Sequence, residues 1–116
     1  MRNYRIYQVR DDEKKYLRNY AFRSLEDIRH AFPGRLGLPR KVWKEVYIYA
    51  TEKQPSLDWL FCLFNRGMEG GGVEPTPEDF TGHSMSVSDI IETPDGELWF
   101  CNPFGWERVH WEEATT

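Results

Sequence analysis

The sequence predicts an α+β fold, in which a mainly antiparallel β-sheet packs against two helices and the chain ends in a C-terminal β-hairpin or meander. Three observations lead to this fold class. Segments rich in aromatic and β-branched residues recur along the chain, two amphipathic patterns begin at a capping serine, and a strong turn signal joins the last strands. Because 116 residues is the length of one domain, we expect a single domain over residues 1–116, with a frayed tail at residues 112–116.

The first part of the chain is expected to form a strand and then a helix. Residues 3–10 alternate and are rich in β-forming types, which predicts a strand. Residues 16–22 carry aromatic side chains at 16, 20 and 22, a pattern that suits either a second extended segment or a helical turn. Ser24 is a good N-cap with Asp27 three residues later, so a helix should begin there and end before Pro33.

The middle of the chain predicts a buried strand and a buried helix. Residues 42–50 are dense in β-formers and nearly unbroken in their apolar character, which predicts a central strand covered on both faces. A second helix should begin at residues 55–56 and end at residues 65–67. Because its apolar side chains lie on every face, we expect it to be the most buried helix. The three glycines at 70–72 predict a flexible loop.

The last part predicts short elements. Residues 76–79 indicate one helical turn that carries Phe80. Residues 83–91 alternate hydroxyl and apolar side chains, which predicts a strand, with a β-bulge compatible with Asp89. Residues 93–97 indicate a hairpin turn, residues 98–101 the returning strand, and residues 104–111 a final strand.

Composition excludes several classes of protein. An aromatic fraction of 16% is too high for a disordered chain. The longest apolar run, residues 59–64, is far shorter than the ~20 residues of a membrane span, so no membrane partner is expected. The polar start of the chain does not resemble a signal peptide, and we expect a cytoplasmic protein. Cys62 and Cys101 lack close Cys or His neighbours, so we expect buried free thiols and neither a metal nor a cofactor.

Asp79, His83 and Asp89, with serines at 84, 86 and 88, contain the residue types of a hydrolytic triad. A nucleophilic serine, however, normally lies on a Gly-flanked turn, and the Gly-x-Ser-x-Gly pattern does not occur here. Serines that alternate along a strand more often face solvent or neighbouring loops. We therefore expect no enzyme, and a hydrolase centred on His83 and Ser84, Ser86 and Ser88 stays an alternative.

Charge is unevenly distributed along the chain. Residues 1–58 contain 13 Lys+Arg and 8 Asp+Glu, a net +5, whereas residues 59–116 contain 2 and 11, a net −9. All six tyrosines lie in the first part, which also contains a basic cluster of Arg35, Arg40, Lys41 and Lys44. Basic and aromatic side chains together favour single-stranded nucleic acid. The acidic pI of about 5.4 instead favours core-facing tyrosines and a solvated basic face.

How the strands pair decides what this charge distribution means. If strands from the basic and acidic parts pair within one sheet, the charges intermix. If they stay apart, the molecule has an acidic face suited to a basic partner.

The run Phe80-Thr-Gly-His-Ser-Met-Ser-Val-Ser-Asp-Ile90, followed downstream by Phe104-Gly105-Trp106, resembles the YodL-like domain family. We call residues 82–89 of this run the signature run. The chain start at residues 4–8 and the helix start at 24–26 are similar to the family's beginning, so the resemblance covers about residues 4–28 and 76–109. The departures are Met85, Asn102 and Trp106, where Leu, Asp and Phe are usual, and residues 70–72, which look like an insertion. Because Asn102 lacks a carboxylate, an acid/base or metal role for it is disfavoured.

The family's domains occur in bacterial mobile elements, phages and polyvalent proteins. The resemblance therefore implies a non-enzymatic accessory protein of the bacterial host cytoplasm that counters host defence, as an anti-CRISPR or anti-restriction protein. Such a protein would bind a host defence protein through acidic and exposed aromatic side chains. The candidate contact residues are His83, Ser86, Asp89, Asn102, Trp106 and Trp111. For Trp106, ordinary core packing is the alternative.

Overall fold

A five-stranded antiparallel β-sheet organises the chain, with the strand order β2-β1-β3-β4-β5. The computed structural model describes residues 1–65 and 74–112. The strands are β1 (Arg2–Val9), β2 (Trp43–Thr51), β3 (Ile90–Glu92), β4 (Leu98–Asn102) and β5 (Gly105–Val109). The α+β class and the C-terminal meander are confirmed.

In the described part of the chain, three α-helices accompany the sheet rather than the two helices expected. They are α1 (Lys14–Asn19), α2 (Leu25–Ala31) and α3 (Leu57–Leu63). The two predicted N-caps are both present, because Ser24 Oγ accepts the N–H of Asp27 at 3.1 Å and Ser56 Oγ accepts the N–H of Trp59 at 3.0 Å. In α3 every residue from 59 to 63 is buried or half-buried, as its apolar composition indicates.

The sheet is covered on both faces, because alternate residues of its inner strands enter two separate apolar layers. In β1, Tyr7 and Val9 join the layer that contains α1 and α2, whereas Tyr4 and Ile6 join the layer that contains α3. The same division separates Ile90 from Ile91 in β3. The apolar layers on the two faces explain why β1 and β3 are nearly free of exposed side chains at their centres.

The packing of the sheet decides two expectations for the first half of the chain. Residues 16–22 follow the helical alternative in part, since α1 places Tyr16 and Tyr20 in the core one turn apart. The expectation of a central β2 was wrong. β2 lies at the edge of the sheet because β1 pairs with it on one side and with β3 on the other, and Ile48 in β2 is 43% exposed.

Two expectations for the second half were also wrong. At residues 76–80 the structure has a hydrogen-bonded turn rather than a helix, because the hydroxyl of Thr76 donates to the carbonyl oxygen of Leu63 at 2.6 Å instead of capping its own segment. Residues 83–89 do not form a strand, and β3 begins only at Ile90. A turn at 86–89 replaces the expected bulge, with the N–H of Asp89 donating to the carbonyl oxygen of Ser86 at 3.2 Å.

The predicted turn at 93–97 is present, and Gly96 adopts a positive φ of 84° in it. Cys101 is buried and Cys62 half-buried, and both are free thiols. None of the helices in residues 1–65 and 74–112 has the length and apolar character needed to cross a bilayer. The end of the second predicted helix at 66–67, the glycines at 70–72 and the tail at 113–116 lie outside the described residues.

Candidate functional site

Gln8 and Asp89 form the centre of a buried polar cluster beneath the signature run. Gln8 Nε2 donates to Asp89 Oδ2 at 3.0 Å and to the carbonyl oxygen of His83 at 2.8 Å, while Gln8 Oε1 accepts the N–H of His83 at 3.2 Å. The N–H of Ser86 also donates to Asp89 Oδ2 at 3.0 Å. One glutamine of β1 therefore holds both ends of the signature run against the sheet.

Asp89 is buried, with only 1% of the residue exposed. Burial raises its pKa to about 8, and the hydrogen bonds from Ser86 and Gln8 oppose part of that shift. Within residues 1–65 and 74–112, the second oxygen, Oδ1, has no hydrogen-bond partner. Asp89 is thus a buried structural acceptor, and its side chain is not accessible to a partner protein.

Gly82 packs against this cluster at very short range. A Cβ atom added there would lie 2.6 Å from Gln8 Oε1 and 2.9 Å from Cζ of Phe80. A side chain at this position would therefore displace the glutamine from its bonds, which gives the glycine of the signature run a packing role.

His83 is the exposed member of the cluster. Its Nδ1 lies 2.8 Å from the carbonyl oxygen of Ser84 and 3.4 Å from Gln8 Nε2, and its ring packs beside Phe22 with centroids 5.9 Å apart. A hydrolytic triad needs a carboxylate bonded to the imidazole. Here the Asp89 carboxyl bonds Gln8 and Ser86 instead, so the geometry does not place these residues in triad order.

Ser88 has a structural role. Its Oγ accepts the N–H of Phe22 at 3.0 Å, and its carbonyl oxygen accepts the indole N–H of Trp43 at 2.9 Å. Ser86 contributes its backbone to Asp89, while its own hydroxyl lies 3.5 Å from the carbonyl oxygen of Val87. The alternation of serines thus reflects bonds between loops rather than a hydroxyl-lined strand.

Asn102 joins α2 to the β4–β5 hairpin. Its Oδ1 accepts the N–H of Leu25 at 2.9 Å, and its Nδ2 donates to Glu107 Oε1 at 3.3 Å. The side chain thus serves as acceptor and donor at once. An aspartate here could accept the first bond but would place a like charge beside Glu107, which gives a physical reason for the amide in this chain.

Trp106 and Trp111 lie on opposite faces of the sheet. Trp106 packs against Phe61 on the α3 side and donates its indole N–H to Asp58 Oδ1 at 2.9 Å. Trp111 packs against Tyr7 and Trp43 on the other side, with ring centroids 5.5 and 5.9 Å away. The two tryptophans therefore belong to separate layers and do not form one contact surface.

The basic cluster is largely engaged within the molecule. Arg35 lies 3.2 Å from Glu112 Oε2, and Lys44 lies 3.5 Å from Asp11 Oδ1. Lys41 is exposed.

Arg40 differs from the rest of the cluster because its guanidinium contacts two aromatic rings. Its Cζ lies 4.8 Å from the ring centroid of Tyr7 and 5.1 Å from that of Trp111, and its Nη1 donates to the carbonyl oxygen of Trp43 at 2.6 Å. The tyrosines are similarly occupied. Four of them, Tyr4, Tyr7, Tyr16 and Tyr20, are buried in the core. These four are not available to stack on nucleic-acid bases.

Charges from the two parts of the chain meet in the folded structure. β1, from the basic part, pairs directly with β3, from the acidic part. Among residues 1–65 and 74–112, four ion pairs join the two parts: Arg5–Glu92, Arg29–Glu107, Arg35–Glu112 and Lys53–Glu74. The uneven charge seen along the sequence is therefore intermixed at these places rather than divided between two faces.

Two exposed aromatic side chains, Phe104 and Phe22, are not among the contact residues expected from the sequence. Phe104 is 99% exposed at the tip of the β4–β5 hairpin, beside a groove that Glu26, Arg29 and Glu107 also line. The sequence Pro103-Phe104-Gly105 indicates this exposure, because a side chain in a two-residue hairpin turn cannot reach the core. Phe22 is 64% exposed and has a positive φ of 60°, which no local pattern indicates.

The two rings flank one stretch of chain. Ser24, two residues after Phe22, lines the groove beside Phe104, and the adjacent Leu25 is bonded to Asn102.

In the described part of the chain, no three His, Cys, Asp or Glu side chains come together in a way that could hold a metal ion.

Fold and site together define a class of small α+β domain, in which a double-faced antiparallel sheet is bonded through one buried glutamine to a Gly-His-Ser-rich segment. The family model of the YodL-like domain matches residues 3–111 of the 116 residues, and the chain belongs to this family. Comparisons with curated proteins and with solved structures gave no match.

Proposed function

We propose that this chain is a non-enzymatic accessory protein of a mobile genetic element that counters a host CRISPR or restriction system by binding one of its proteins. Membership of the YodL-like family supports the setting. The observation that carries the binding role is the complete exposure of Phe104 at the tip of a short hairpin. A large apolar side chain held in solvent by a tight turn is typical of a contact residue.

The surroundings of Phe104 support a basic partner. Glu26 and Glu107 line the same groove, and Asp27 in the same turn of α2 is exposed. Arg29 is the cation in the groove, and it is paired with Glu107 at 2.7 Å. An aromatic ring beside an excess of acidic side chains fits a basic surface such as the nucleic-acid-binding face of a defence nuclease. These residues take the place of Trp106 and Trp111 in the proposed contact.

The positions of the other candidate residues divide them by role. Asp89, Ser86 and Asn102 support the fold, whereas His83 is exposed beside Phe22 and is kept in the proposed interface. No specific observation favours the nucleic-acid or the hydrolase alternative. Arg35 and Lys44 of the basic cluster are paired within the molecule, and Asp89 bonds Gln8 rather than His83.

The test is phage plating on bacteria that carry a CRISPR or restriction system and co-express the protein. We expect the wild-type protein to restore plating, and Phe104→Ser or Phe22→Asn to lose at least about tenfold of that effect, because each deletes an exposed ring. Asparagine tolerates the positive φ at position 22. Ile48→Thr is the matched control, since Ile48 is an exposed apolar residue on the opposite edge of the sheet.

A purified complex with a protein of the inhibited system, stable to nuclease treatment, is the expected biochemical result. Unchanged defence in the presence of the wild-type protein would overturn the proposal. So would full activity of both ring-deletion variants. A complex that disappears with nuclease and with rising salt would instead favour the nucleic-acid alternative.

A further inference from the structure

A groove on the α3 side of the sheet lies at the end of β4 opposite to Phe104. Its volume is about 540 Å³, within the range of about 300–1,000 Å³ that is typical of ligand-binding pockets. Three segments line it: the start of β1, the residues that lead into α3, and the turn at 93–97 with the start of β4. The proposed function does not use this groove.

Tyr4 supplies a hydrogen-bond donor to this groove. The residue is 6% exposed and packs in the α3 layer. In the described part of the chain the Tyr4 hydroxyl makes no hydrogen bond, whereas the hydroxyls of Tyr7 and Tyr47 each donate to a carboxylate. Among the same residues, Asp89 Oδ1 is the enclosed side-chain polar atom that lacks a partner. The small accessible area of Tyr4 therefore includes its hydroxyl, which opens into the groove that the residue lines.

Trp99 lines the same groove and adds a half-buried ring. Within residues 1–65 and 74–112 its indole N–H has no hydrogen-bond partner, in contrast to the indoles of Trp43 and Trp106, which both donate. Arg108, which is paired with Glu97 at 3.0 Å, lies over the Trp99 ring with its Cζ 6.0 Å from the centroid and supports its orientation. The groove thus contains two aromatic side chains whose donors are unused.

Proline and leucine side chains form the apolar walls of the groove. Pro55 and Leu57, both half-buried, flank the N-cap of α3. Pro94 lies in the turn at 93–97, which is closed by the hydrogen bond from the N–H of Thr93 to the carbonyl oxygen of Glu97 at 2.9 Å. Because the walls belong to hydrogen-bonded backbone, they are ordered before a ligand binds, which lowers the entropic cost of binding.

The chemistry of this lining fits a proline-rich peptide. A polyproline II segment has no internal hydrogen bonds, so its carbonyl oxygens need donors from outside. Proline has no N–H, so such a segment brings few donors of its own. Grooves lined by aromatic side chains are a general means of binding these segments. The unused phenol and indole donors, set between apolar walls, match both requirements.

The charges of the groove favour a basic residue beside the prolines. Asp95 lines the groove, is exposed, and makes no ion pair or hydrogen bond in the described part of the chain. The other lining carboxylate, Glu97, is already paired with Arg108. Arg2, a lining cation, donates from Nη1 to the carbonyl oxygen of Glu52 at 2.8 Å. Asp95 is therefore the carboxylate that is available to a cation of the ligand.

We propose that this groove binds a proline-rich peptide segment with a neighbouring arginine or lysine. The Tyr4 hydroxyl and the Trp99 indole N–H donate to carbonyl oxygens of the segment, and Asp95 pairs with its cation. The proposal uses neither Phe22 nor Phe104, so it stands or fails separately from the proposed function.

The experiment is an NMR titration of the full chain, labelled with ¹⁵N, with a synthetic peptide of one arginine followed by nine prolines. We expect saturable binding that shifts the indole N–H resonance of Trp99 and leaves that of Trp106, which is bonded to Asp58, in place. Tyr4→Phe should raise the Kd about two- to tenfold, because it removes one hydrogen bond and keeps the ring. Tyr49→Phe, the same change at the position of β2 that pairs with Tyr4, is the matched control and should leave the Kd unchanged.

Asp95→Asn should raise the Kd of the arginine peptide by up to about fivefold at low salt and leave the Kd of a peptide of ten prolines unchanged. Glu78→Gln, which removes an exposed carboxylate outside the groove, is its control and should change neither value.

The absence of binding by both proline peptides at millimolar concentration would overturn the proposal. Wild-type affinity in Tyr4→Phe would do so equally, as would an equal Kd for a flexible Gly-Ser peptide that carries the same arginine. An oligosaccharide that shifts the Trp99 resonance while the peptides do not would assign the groove to a carbohydrate and contradict the proposal.

Discussion

The backbone N–H of Phe22 donates to the hydroxyl oxygen of Ser88 at 3.0 Å, and these two residues share an unusual backbone conformation. Phe22 has a φ of 60° and Ser88 a φ of 83°, and among residues 1–65 and 74–112 they are the only non-glycine residues with positive φ. The left-handed region costs a bulky residue about 1–2 kcal/mol. The bond thus joins two strained positions, one of which exposes an aromatic ring and the other of which lies next to the last residue of the signature run.

We first predict that Ser88→Ala destabilises the protein by about 1–3 kcal/mol, because it leaves the Phe22 N–H without its acceptor and keeps the strain. Urea unfolding followed by tryptophan fluorescence measures the change. Ser86→Ala is the matched control and should change the free energy of unfolding by less than about 0.5 kcal/mol, since the backbone of Ser86 makes the bond to Asp89. Equal losses in the two variants would contradict the role given to Ser88.

The second prediction concerns the dependence of stability on pH. The folded-state pKa of Asp89 is about 8, above the ordinary carboxyl value of 3.8. Between these two values the folded state binds the extra proton, so a rise in pH from about 4 to 8 lowers the free energy of unfolding. We expect wild-type stability to fall relative to Asp89→Asn by several kcal/mol across this window, and the difference to level off above pH 8.

Other groups around Asp89 do not explain such a slope. Gln8 on β1 and the Ser86 backbone are neutral, and burial raises the pKa of Cys101 on β4 to about 12, outside the window. His83, on the far side of Gln8, is the same residue in both proteins. Urea unfolding at pH 5, 7 and 9 measures the difference in the free energy of unfolding between the wild type and Asp89→Asn. A constant difference between the two proteins would show that Asp89 is ionised in the fold.

Third, Gln8→Leu should lower the free energy of unfolding by about 2–4 kcal/mol, although leucine preserves much of the side-chain volume. The substitution removes three hydrogen bonds and leaves the N–H and carbonyl oxygen of His83 without partners. Gln54→Leu, at an exposed position, is the control and should be close to neutral. Thermal unfolding of both variants measures the effect, and a wild-type midpoint in Gln8→Leu would argue against the polar cluster.

Fourth, Arg40→Ala should destabilise the fold by about 1–2 kcal/mol, because it removes contacts with two rings and the bond to the Trp43 carbonyl. The adjacent Lys41→Ala removes the same charge from an exposed side chain and should stay within about 0.5 kcal/mol. Urea unfolding of Arg40→Ala and Lys41→Ala measures the two changes in the free energy of unfolding. A gel shift with single-stranded DNA that both variants weaken equally would show that the cluster binds nucleic acid instead.

Local chemistry predicted several parts of this protein well. The N-caps at Ser24 and Ser56 and the turn around Gly96 depend on a few neighbouring residues, so they can be inferred from those residues alone. The expected α+β class follows from the same local signals, because alternating and helical periodicities report which segments have one apolar face.

The predictions from sequence were wrong where a residue distant in the chain provides the hydrogen bond. Serines alternating from 84 to 88 are typical of a strand, but Gln8 and the Asp89 carboxyl draw that segment into a turn. The aromatic richness of β2 predicted a central strand, although Tyr47 and Tyr49 need cover on only one face. Periodicity reports how apolar a segment is and carries no information on which strand lies beside it.

The sequence by itself thus determined the α+β class, the capping serines, the hairpin turn and the YodL-like family. Tertiary structure alone decided that Asp89 is buried with a raised pKa, that Trp106 and Trp111 lie on opposite faces, and that the charged parts of the chain intermix. The physical reason is that burial, pKa and ion pairing depend on contacts between residues far apart in the chain. The pairing of β1 with both β2 and β3 brings those residues together.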